Sequence, residues 1–549
     1  MVNLDALVAE RHALLEQVPR QRLVFFVKHL IKQSRTDALS SDFKAAIMRV
    51  LLPVLPLLKD LYESFWEELV HFLEQSWEPI GDLSDNMAFT LGTNLRLYRT
   101  LKSLTQEPAC NDDLNDALAA KSETLDTILI KLLPNLAEKP KQVTYWEIIQ
   151  QDVALLASGM RVVAGQDLSR LYTIFDRPSP VLQLAAHKVL QRSISGSQGE
   201  ISVEKALTKD YVAELPEKLL AVILTAPDPE ARHLVWGDSG GLPFEVQGYL
   251  LGWLLIFSHW TNSSQRVQED YVSAIDGGGY LPTLLAFAIE YLIDGRNQLP
   301  NASKYDITTF ETTPLPPDTF SAAHCLFHLY FLSLRHLPTL VRSWWQDSAP
   351  RQSKTILESW TERYFTPSIV AAEISTLSSD HIPTLTQEDN PTTSSDDHRL
   401  EIRTSIPARE ITAAIPIDET TMRIAIRLPG SYPLARATVD SVQRVGVDEK
   451  KWRGWLLHCQ GVINFSRVGG PTALADGLAA WKTHVTARLR GQSECAICYS
   501  VVGVGADKQL PSKKCSTCGN LFHGGCLYRW FKSSNSSGCP LCRNAFQYA

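Results

Sequence analysis

A chain of 549 residues that is 44% apolar and 21% charged has the make-up of an ordinary soluble protein and room for roughly three or four domains. Its net charge of −7 is unevenly spread: from Glu401 onward 19 Lys/Arg stand against 10 Asp/Glu, a net of +9, so the first 400 residues carry −16. A basic end suits an acidic partner such as RNA or an acidic protein face, and two unrelated domains of different charge would give the same imbalance.

The N-terminal stretch "MVNLDALVAERHALLEQV" carries acids and no long apolar core, which excludes a signal peptide. From there to about residue 378 the chain reads as one helix after another. In "LLKDLYESFWEELVHFLEQSW", Leu58, Leu61, Tyr62, Phe65, Leu69, Phe72 and Leu73 recur at three- and four-residue steps, the apolar stripe of a helix. Pro53 and Pro56 just before it signal a kink or a helix start. The stretches "GYLLGWLLIFSHW" (248–260) and "TFSAAHCLFHLYFLSL" (319–334) are the most apolar. Both fall short of the ~20 residues that span a bilayer, and both hold histidine, so they read as buried helices and no membrane partner is expected. Many amphipathic helices joined by short polar turns suggest an all-α helical-repeat region of the HEAT or armadillo kind over 1–378. No fixed period is visible, and the alternative is an irregular bundle.

The segment "STLSSDHIPTLTQEDNPTTSSDDHR" (375–399) is rich in Ser, Thr, Asp and Pro. It has too little apolar surface to offset the entropy of ordering, and 379–400 is expected to be a flexible linker. Beyond it the period changes. "REITAAIPI", "TTMRIAIRLP" and "ARATVDSV" read as three half-buried strands, with "GSYPLA" as a turn around Pro433. Two helices should follow: "DEKKWRGWLLHCQGVINF", with Trp452, Trp455, Leu456 and Cys459 on one face, and "PTALADGLAAWKTHVTARLR", with Pro471 in its first turn. Strands followed by helices predict a small α+β domain over 401–490.

Seven of the ten cysteines lie between Cys495 and Cys542, while Cys110, Cys325 and Cys459 stand alone. The cluster runs Cys495-x2-Cys498, Cys515-x2-Cys518, His523-x2-Cys526 and Cys539-x2-Cys542. Each pair supplies half of a tetrahedral site, so four pairs complete two sites, with His523 the only imidazole in the segment. Thiolate and imidazole ligands in closed tetrahedra select zinc, and closed sites make both zincs structural. About 50 residues hold too little core to fold without the metal. Seven cysteines and a histidine grouped this way suit a reducing compartment and not a secreted disulfide framework. Spacing alone leaves open which pairs share an ion, and the ligand order occurs in PHD fingers as well as RING variants.

The segment 491–549 resembles the RING domains of ubiquitin ligases, in the variant with cysteine at the fourth ligand. Ile497 inside the first pair, Trp530 four residues after Cys526, Pro540 in "CPLC" and Arg543 after the last ligand stand where RINGs contact a conjugating enzyme and its ubiquitin. Ser537 stands where a PHD finger usually has an aromatic. The four residues between Cys518 and His523 are a PHD-like spacing, followed by an unusually plain turn at Gly524 and Gly525. The resemblance implies a cross-brace, with Cys495, Cys498, His523 and Cys526 on zinc 1 and Cys515, Cys518, Cys539 and Cys542 on zinc 2. It implies no nucleophile on this chain: Ile497, Trp530 and Pro540 offer an apolar patch, and the Arg543 fork fixes the ubiquitin thioester for attack by a substrate lysine. A non-enzymatic PHD-like binding module is the competing reading.

"REITAAIPIDETTMRIAIRLPGSYPLARATVDSVQRVGVDEKKWRGWLLH", "GLAAWKTHVTARLRG" and "CLYRWFKSSNSSGCPLCRNAF" resemble the C-terminus of the listerin family, RING ligases of ribosome-associated quality control. "HLYFLSLRHLPTLVRSWW" and "TERYFTPSIVAAEI" look like the end of that family's helical repeats. The resemblance implies that the α+β unit is an RWD domain docked on the large ribosomal subunit near the nascent-chain exit. It further implies a charged ubiquitin-conjugating enzyme, a stalled peptidyl-tRNA and a quality-control cofactor protein as partners of a monomer in the cytosol. Arg436, Arg444, Lys450, Lys451 and Arg453 are candidate contacts to ribosomal RNA phosphates, or ordinary solvated charges. Cys459, in a fold shared with conjugating enzymes, reads as packing without catalytic role. Family members are typically several times longer than this chain, which reads either as a fragment or as the product of a truncated gene, without the family's N-terminal ribosome-binding part. A RING ligase of another pathway is the remaining alternative.

Overall fold

The computed structural model describes residues 15–546 except 35–39, 78–87, 108–111, 139–143, 158, 161, 163–164, 209, 229–241, 294–297, 313–319, 350, 378–399, 418–419, 446, 470, 490–492 and 500–510. The expected linker at 379–400 thus lies almost wholly outside the described residues. The chain divides into two compact units, Met1–Val267 with Phe310–Leu326 and Gln268–Thr309 with Phe327–Ala549.

The first unit is helical. Ser41–Leu51 packs on Ala88–Thr105, Phe65–Trp77 on Asp112–Ala137, and Ala88–Thr105 on Thr144–Ala157. Each leans chiefly on the helix two places along, the pattern of a two-layered helical repeat and not of an irregular bundle. Buried acids tie the helices together, two pairs within a layer and one between layers. Glu74 takes a salt bridge from Lys121 at 2.8 Å, and Asp152 one from Arg99 at 2.5 Å. Asp126 accepts from the Tyr98 hydroxyl at 3.1 Å and from Lys102 at 3.3 Å. Phe244–Ser258 is apolar all round and buried from Val246 to Ser258, as the sequence predicts for its most apolar stretch. Gly248 permits this, since a β-carbon there would lie 2.2 Å from the Phe175 carbonyl oxygen. Among the described residues no single helix is long and apolar enough to cross a membrane.

The helix expected across Leu58–Leu73 is interrupted. A 3₁₀ turn spans Leu55–Leu58, and the α-helix begins only at Phe65. Pro56 opens that tight turn, and the Trp66 indole N–H donates to the Leu61 carbonyl at 3.0 Å, folding the connection back on the helix. Tyr62 therefore leaves the stripe and is exposed.

In the second unit four strands form an antiparallel meander: β1 (Glu401–Ser405), β2 (Glu410–Ile417), β3 (Thr420–Arg427) and β4 (Thr438–Gln443). Ile411 pairs with Ile426, Ala413 with Ile424 and Ile415 with Met422, and all six are buried. That one-sided apolar face is what a period-two pattern buries. Only three strands were legible. β1 is an edge strand with mostly exposed residues, so it carries no alternation to read. The helices Glu449–Phe465 and Pro471–Leu489 pack on each other, with Trp452, Trp455, Cys459 and Trp481 buried. Burial pushes the Cys459 thiol up to about 12, which leaves it inert.

The helices Pro338–Asp347, Arg351–Tyr364 and Thr366–Thr376 hold the turn at Ser431–Pro433. The Arg342 guanidinium is buried and donates to the Pro433 carbonyl from Nε (3.0 Å) and Nη2 (2.9 Å), and to the Asn464 carbonyl from Nη1 (2.8 Å). Thr366 donates to the Tyr432 carbonyl at 2.6 Å, Ser431 to Glu358 at 3.1 Å, and the Tyr432 hydroxyl to Glu373 at 2.9 Å. Arg342→Met leaves those carbonyls without donors and is expected to destabilise this unit by about 3 kcal/mol, measured as a lowered urea midpoint for loss of near-ultraviolet signal.

Burial raises the Glu373 carboxyl to about 7, partly offset by the Tyr432 hydrogen bond and by Arg335. The folded carboxyl therefore keeps its proton where the unfolded one, with its ordinary value near 4.5, loses it. Stability contributed by this group is full below about pH 4.5, falls as pH rises to about 7 and is level above, a loss of order 3 kcal/mol. Glu373→Gln is expected to remove that downward slope, read as unfolding midpoints of the two proteins between pH 5 and pH 8.

Candidate metal centre

The last domain is built from β5 (Lys513–Lys514), β6 (Leu521–Phe522) and the helix Gly524–Ser534. Three of its ligand pairs form the same local turn. The amide of the residue after the second cysteine donates back to the first cysteine's carbonyl: Tyr499 to Cys495 (2.8 Å), Gly519 to Cys515 (3.0 Å) and Arg543 to Cys539 (3.0 Å). All three closing residues are left-handed, with φ of 56°, 69° and 62°. This conformation suits Gly519 and costs Tyr499 and Arg543 roughly 1 kcal/mol each. The turn brings both sulfurs of a pair to one side.

The turns assemble two clusters. Cys495, Cys498, His523 and Cys526 contribute one ligand atom each within 4.8 Å of one another, and Cys515, Cys518, Cys539 and Cys542 do the same. The first pair thus meets the third, and the second meets the fourth. Cys515 Sγ lies 3.7 Å from Cys542 Sγ, and Cys518 Sγ lies 3.7 Å from Cys539 Sγ. Sulfurs about 2.3 Å from a tetrahedral zinc stand about 3.8 Å apart, whereas a disulfide needs about 2.05 Å. His523 Nδ1 is 3.4 Å from Cys498 Sγ and 3.8 Å from Cys526 Sγ. Donor set and dimensions fit two structural zinc ions, each surrounded by four protein ligands.

The surroundings favour the thiolate at some ligands and oppose it at others: the Cys495 sulfur pushes Cys498 and Cys526 up, and burial pushes Cys539 up. Backbone N–H groups of the turn, that of Cys518 first, pull Cys515 down to about 6. Cys495 is lowered chiefly by the thiols of Cys498 and Cys526, with the His523 amide also donating to its sulfur at 3.3 Å. Around the clusters sits a core of Phe522, Leu527 and Phe546, with Phe531 and Ile497 packed against it. Sequence reasoning named Ile497 but passed over Phe522, Leu527, Phe531 and Phe546. They explain the long Cys518–His523 interval, because β6 uses it to carry Phe522 into the core. The turn expected at Gly524 and Gly525 is the first turn of a helix, and a β-carbon at either would meet open space.

Ile497 is half-buried on the first knuckle. Trp530 remains 37% exposed, so it is not a core residue, and its indole N–H donates to the Gly538 carbonyl at 3.3 Å. That bond ties the tryptophan to the loop carrying Pro540, which is half-buried. Leu541 beside it is exposed and was missed. Arg543 is exposed. The five basic residues proposed to meet RNA are not equivalent. Lys451 pairs with Glu494 at 3.0 Å, Lys450 lies over the Tyr499 ring at 5.2 Å, and Arg436 covers Phe465 at 4.9 Å. These three have neighbours within the chain; Arg436 and Lys450 are nonetheless exposed, as are Arg444 and Arg453.

Three family descriptions match the chain: "LTN1 family HEAT repeat region" over 162–378, "Ubiquitin conjugating domain-like" over 400–488 and "Ring finger domain" over 493–543. Helical repeats, a conjugating-enzyme-like α+β domain and a double zinc cross-brace define a multidomain RING protein. Its relatives include proteins named E3 ubiquitin-protein ligase listerin. That of Neurospora crassa is 32% identical, over 97% of this chain and 33% of the relative. That of Schizosaccharomyces pombe is 28% identical, over 91% and 30%, and that of Mus musculus 32% identical, over 55% and 16%. The chain belongs to the listerin family and corresponds to its C-terminal portion. It spans about a third of the length of the two fungal relatives.

Elemental analysis of the purified chain is expected to return two zinc ions. Cys515→Ser is expected to lower this to one or none and to expose residues 511–546 to proteolysis, since each structural zinc contributes on the order of 10 kcal/mol to so small a module.

Proposed function

We propose that the chain is a RING-type ubiquitin-protein ligase. In this reading it moves ubiquitin from a conjugating enzyme to lysines of stalled nascent chains on the large ribosomal subunit, marking them for proteasomal degradation. Cys495, Cys498, His523 and Cys526 would hold one zinc, and Cys515, Cys518, Cys539 and Cys542 the other. The ions lock the knuckles in place. Ile497, Trp530 and Pro540 then bind the conjugating enzyme through an apolar ledge, with Trp530 as anchor. Arg543 hydrogen-bonds ubiquitin and the enzyme together and so holds the thioester where a substrate lysine can attack. Acceleration comes from orientation: Cys459 is buried and its thiol is pushed up, so no ubiquitin passes through it. The ribosomal subunit, peptidyl-tRNA, a quality-control cofactor protein, the cytosol and a monomeric state belong to the same reading.

The observation that carries it is Arg543, an exposed arginine in a left-handed position that glycine fills in the neighbouring turn. Tyr499 closes the first turn in the same conformation, so the strain belongs to the turn, and what Arg543 adds there is an exposed guanidinium on the last ligand pair. The test is discharge of ubiquitin from charged conjugating enzymes to free lysine. Trp530→Ala and Arg543→Ala should each lower the rate at least tenfold with both zincs retained. A zinc-loaded parent chain inert with a panel of conjugating enzymes would support the PHD-like binding module instead. Co-sedimentation of the chain with large subunits bearing stalled peptidyl-tRNA tests the substrate, and a subunit-free profile favours another pathway.

A further inference from the structure

The first knuckle of the zinc module does not stand alone. The helix Glu449–Phe465 of the α+β domain grips it from outside. The Trp455 indole N–H donates to the Tyr499 carbonyl at 2.9 Å. Lys450 lies over the Tyr499 ring at 5.2 Å, and Gly454 faces it so closely that a β-carbon would stand 3.3 Å from Tyr499 Cβ. Just before the knuckle in the chain, Glu494 pairs at 3.0 Å with Lys451 of the same helix, and the Glu494 side chain is 7% exposed. The two grips bracket Cys495–Cys498 and with it Ile497.

The gripping residue is itself fixed. Trp455 is wholly buried, stacked on His484 with ring centroids 5.7 Å apart and planes 14° apart, and tilted against Trp452 at 6.1 Å. His484 in turn shares a hydrogen bond of 2.8 Å with His458. An indole with no freedom of its own transmits the orientation of the α+β domain to the backbone that it holds.

Resting on the ligase reading above, we propose that Trp455 and the Lys451–Glu494 pair are positioning residues. They fix the direction in which the α+β domain aims the charged conjugating enzyme, and so select which lysines receive ubiquitin. They have no part in activating the thioester. Neither contacts the apolar ledge or Arg543 in its assigned role, so activation and aim are separable.

The test uses the full chain and reads two things: single-turnover discharge to free lysine, which reports activation alone, and the distribution of ubiquitin over the chain's own lysines by mass spectrometry, which reports aim. Trp455→Phe keeps the ring and removes the donor. It is expected to retain two zinc ions and discharge within twofold of the parent, while lysines that are minor acceptors in the parent gain at least threefold in share. Lys451→Glu should do the same, and the charge swap with Glu494→Lys should restore the parent pattern. An unchanged acceptor distribution in a parent-like discharge background overturns the proposal. So does a tenfold loss of free-lysine discharge in zinc-loaded Trp455→Phe, which would make the grip part of activation. If Trp455→Phe fails to fold, the charge pair and its swap decide. A zinc-loaded parent chain that stimulates discharge from none of the charged conjugating enzymes overturns the ligase reading, whereas a parent that stimulates it leaves only the aiming role at stake.

Discussion

Four sulfur or nitrogen atoms closing around each of two points is the arrangement on which the C-terminal end of this protein depends. The domain's own apolar core is small: Phe522, Leu527 and Phe546 with a few partly buried neighbours. Burial on that scale does not offset the ordering of some 50 residues. The difference is made up by metal–ligand bonds, and those bonds need sulfurs held at a common centre. The left-handed residue that closes each cysteine turn supplies this geometry. Local backbone conformation, ligand placement and domain stability are therefore one problem. Trp530, Pro540 and Arg543 project from a surface that exists only when it is solved.

The same part of the protein shows why isolated charges are poor guides to partners. Lys450, Lys451 and Arg436 lie in a basic stretch, and read along the chain they look available. In three dimensions each has an aromatic face or a carboxylate beside it. Part of the positive charge of the C-terminal region thus serves to hold the zinc module against its neighbour. Arg342 makes the complementary point from the helical side. A guanidinium with no carboxylate partner among the described residues is buried with three donated hydrogen bonds to two carbonyls.

What was legible in the sequence follows the range of the forces involved. The ligand pairs could be read because a metal turn is local: two cysteines three residues apart are already half a site. The helical-repeat character could be read from period, as could the faces of β2 and β3, because burial of one side writes itself into alternate or every third or fourth residue. Edge strand β1 has no buried side and left no trace. The break before Phe65 was hidden because apolar spacing continued through Leu58, Leu61 and Tyr62 although the backbone did not. The grip of Trp455 on Tyr499 joins residues 44 apart in two domains. Trp455 could be assigned to a buried face, but which carbonyl its indole N–H would meet is not encoded in any local pattern.

Arg342 and its neighbours also bear on where this protein can be divided. A polar stretch invites a cut near residue 400, where composition changes most abruptly. Yet Arg342, Thr366, Glu358 and Glu373 all reach the Ser431–Pro433 turn from helices on the far side of that cut. Severing the chain there would strip the strands of a supporting wall and leave Tyr432 and Pro433 facing water. A piece that keeps this wall around the strands therefore begins before Pro338, and the point where composition changes most is not a point where the packing can be parted.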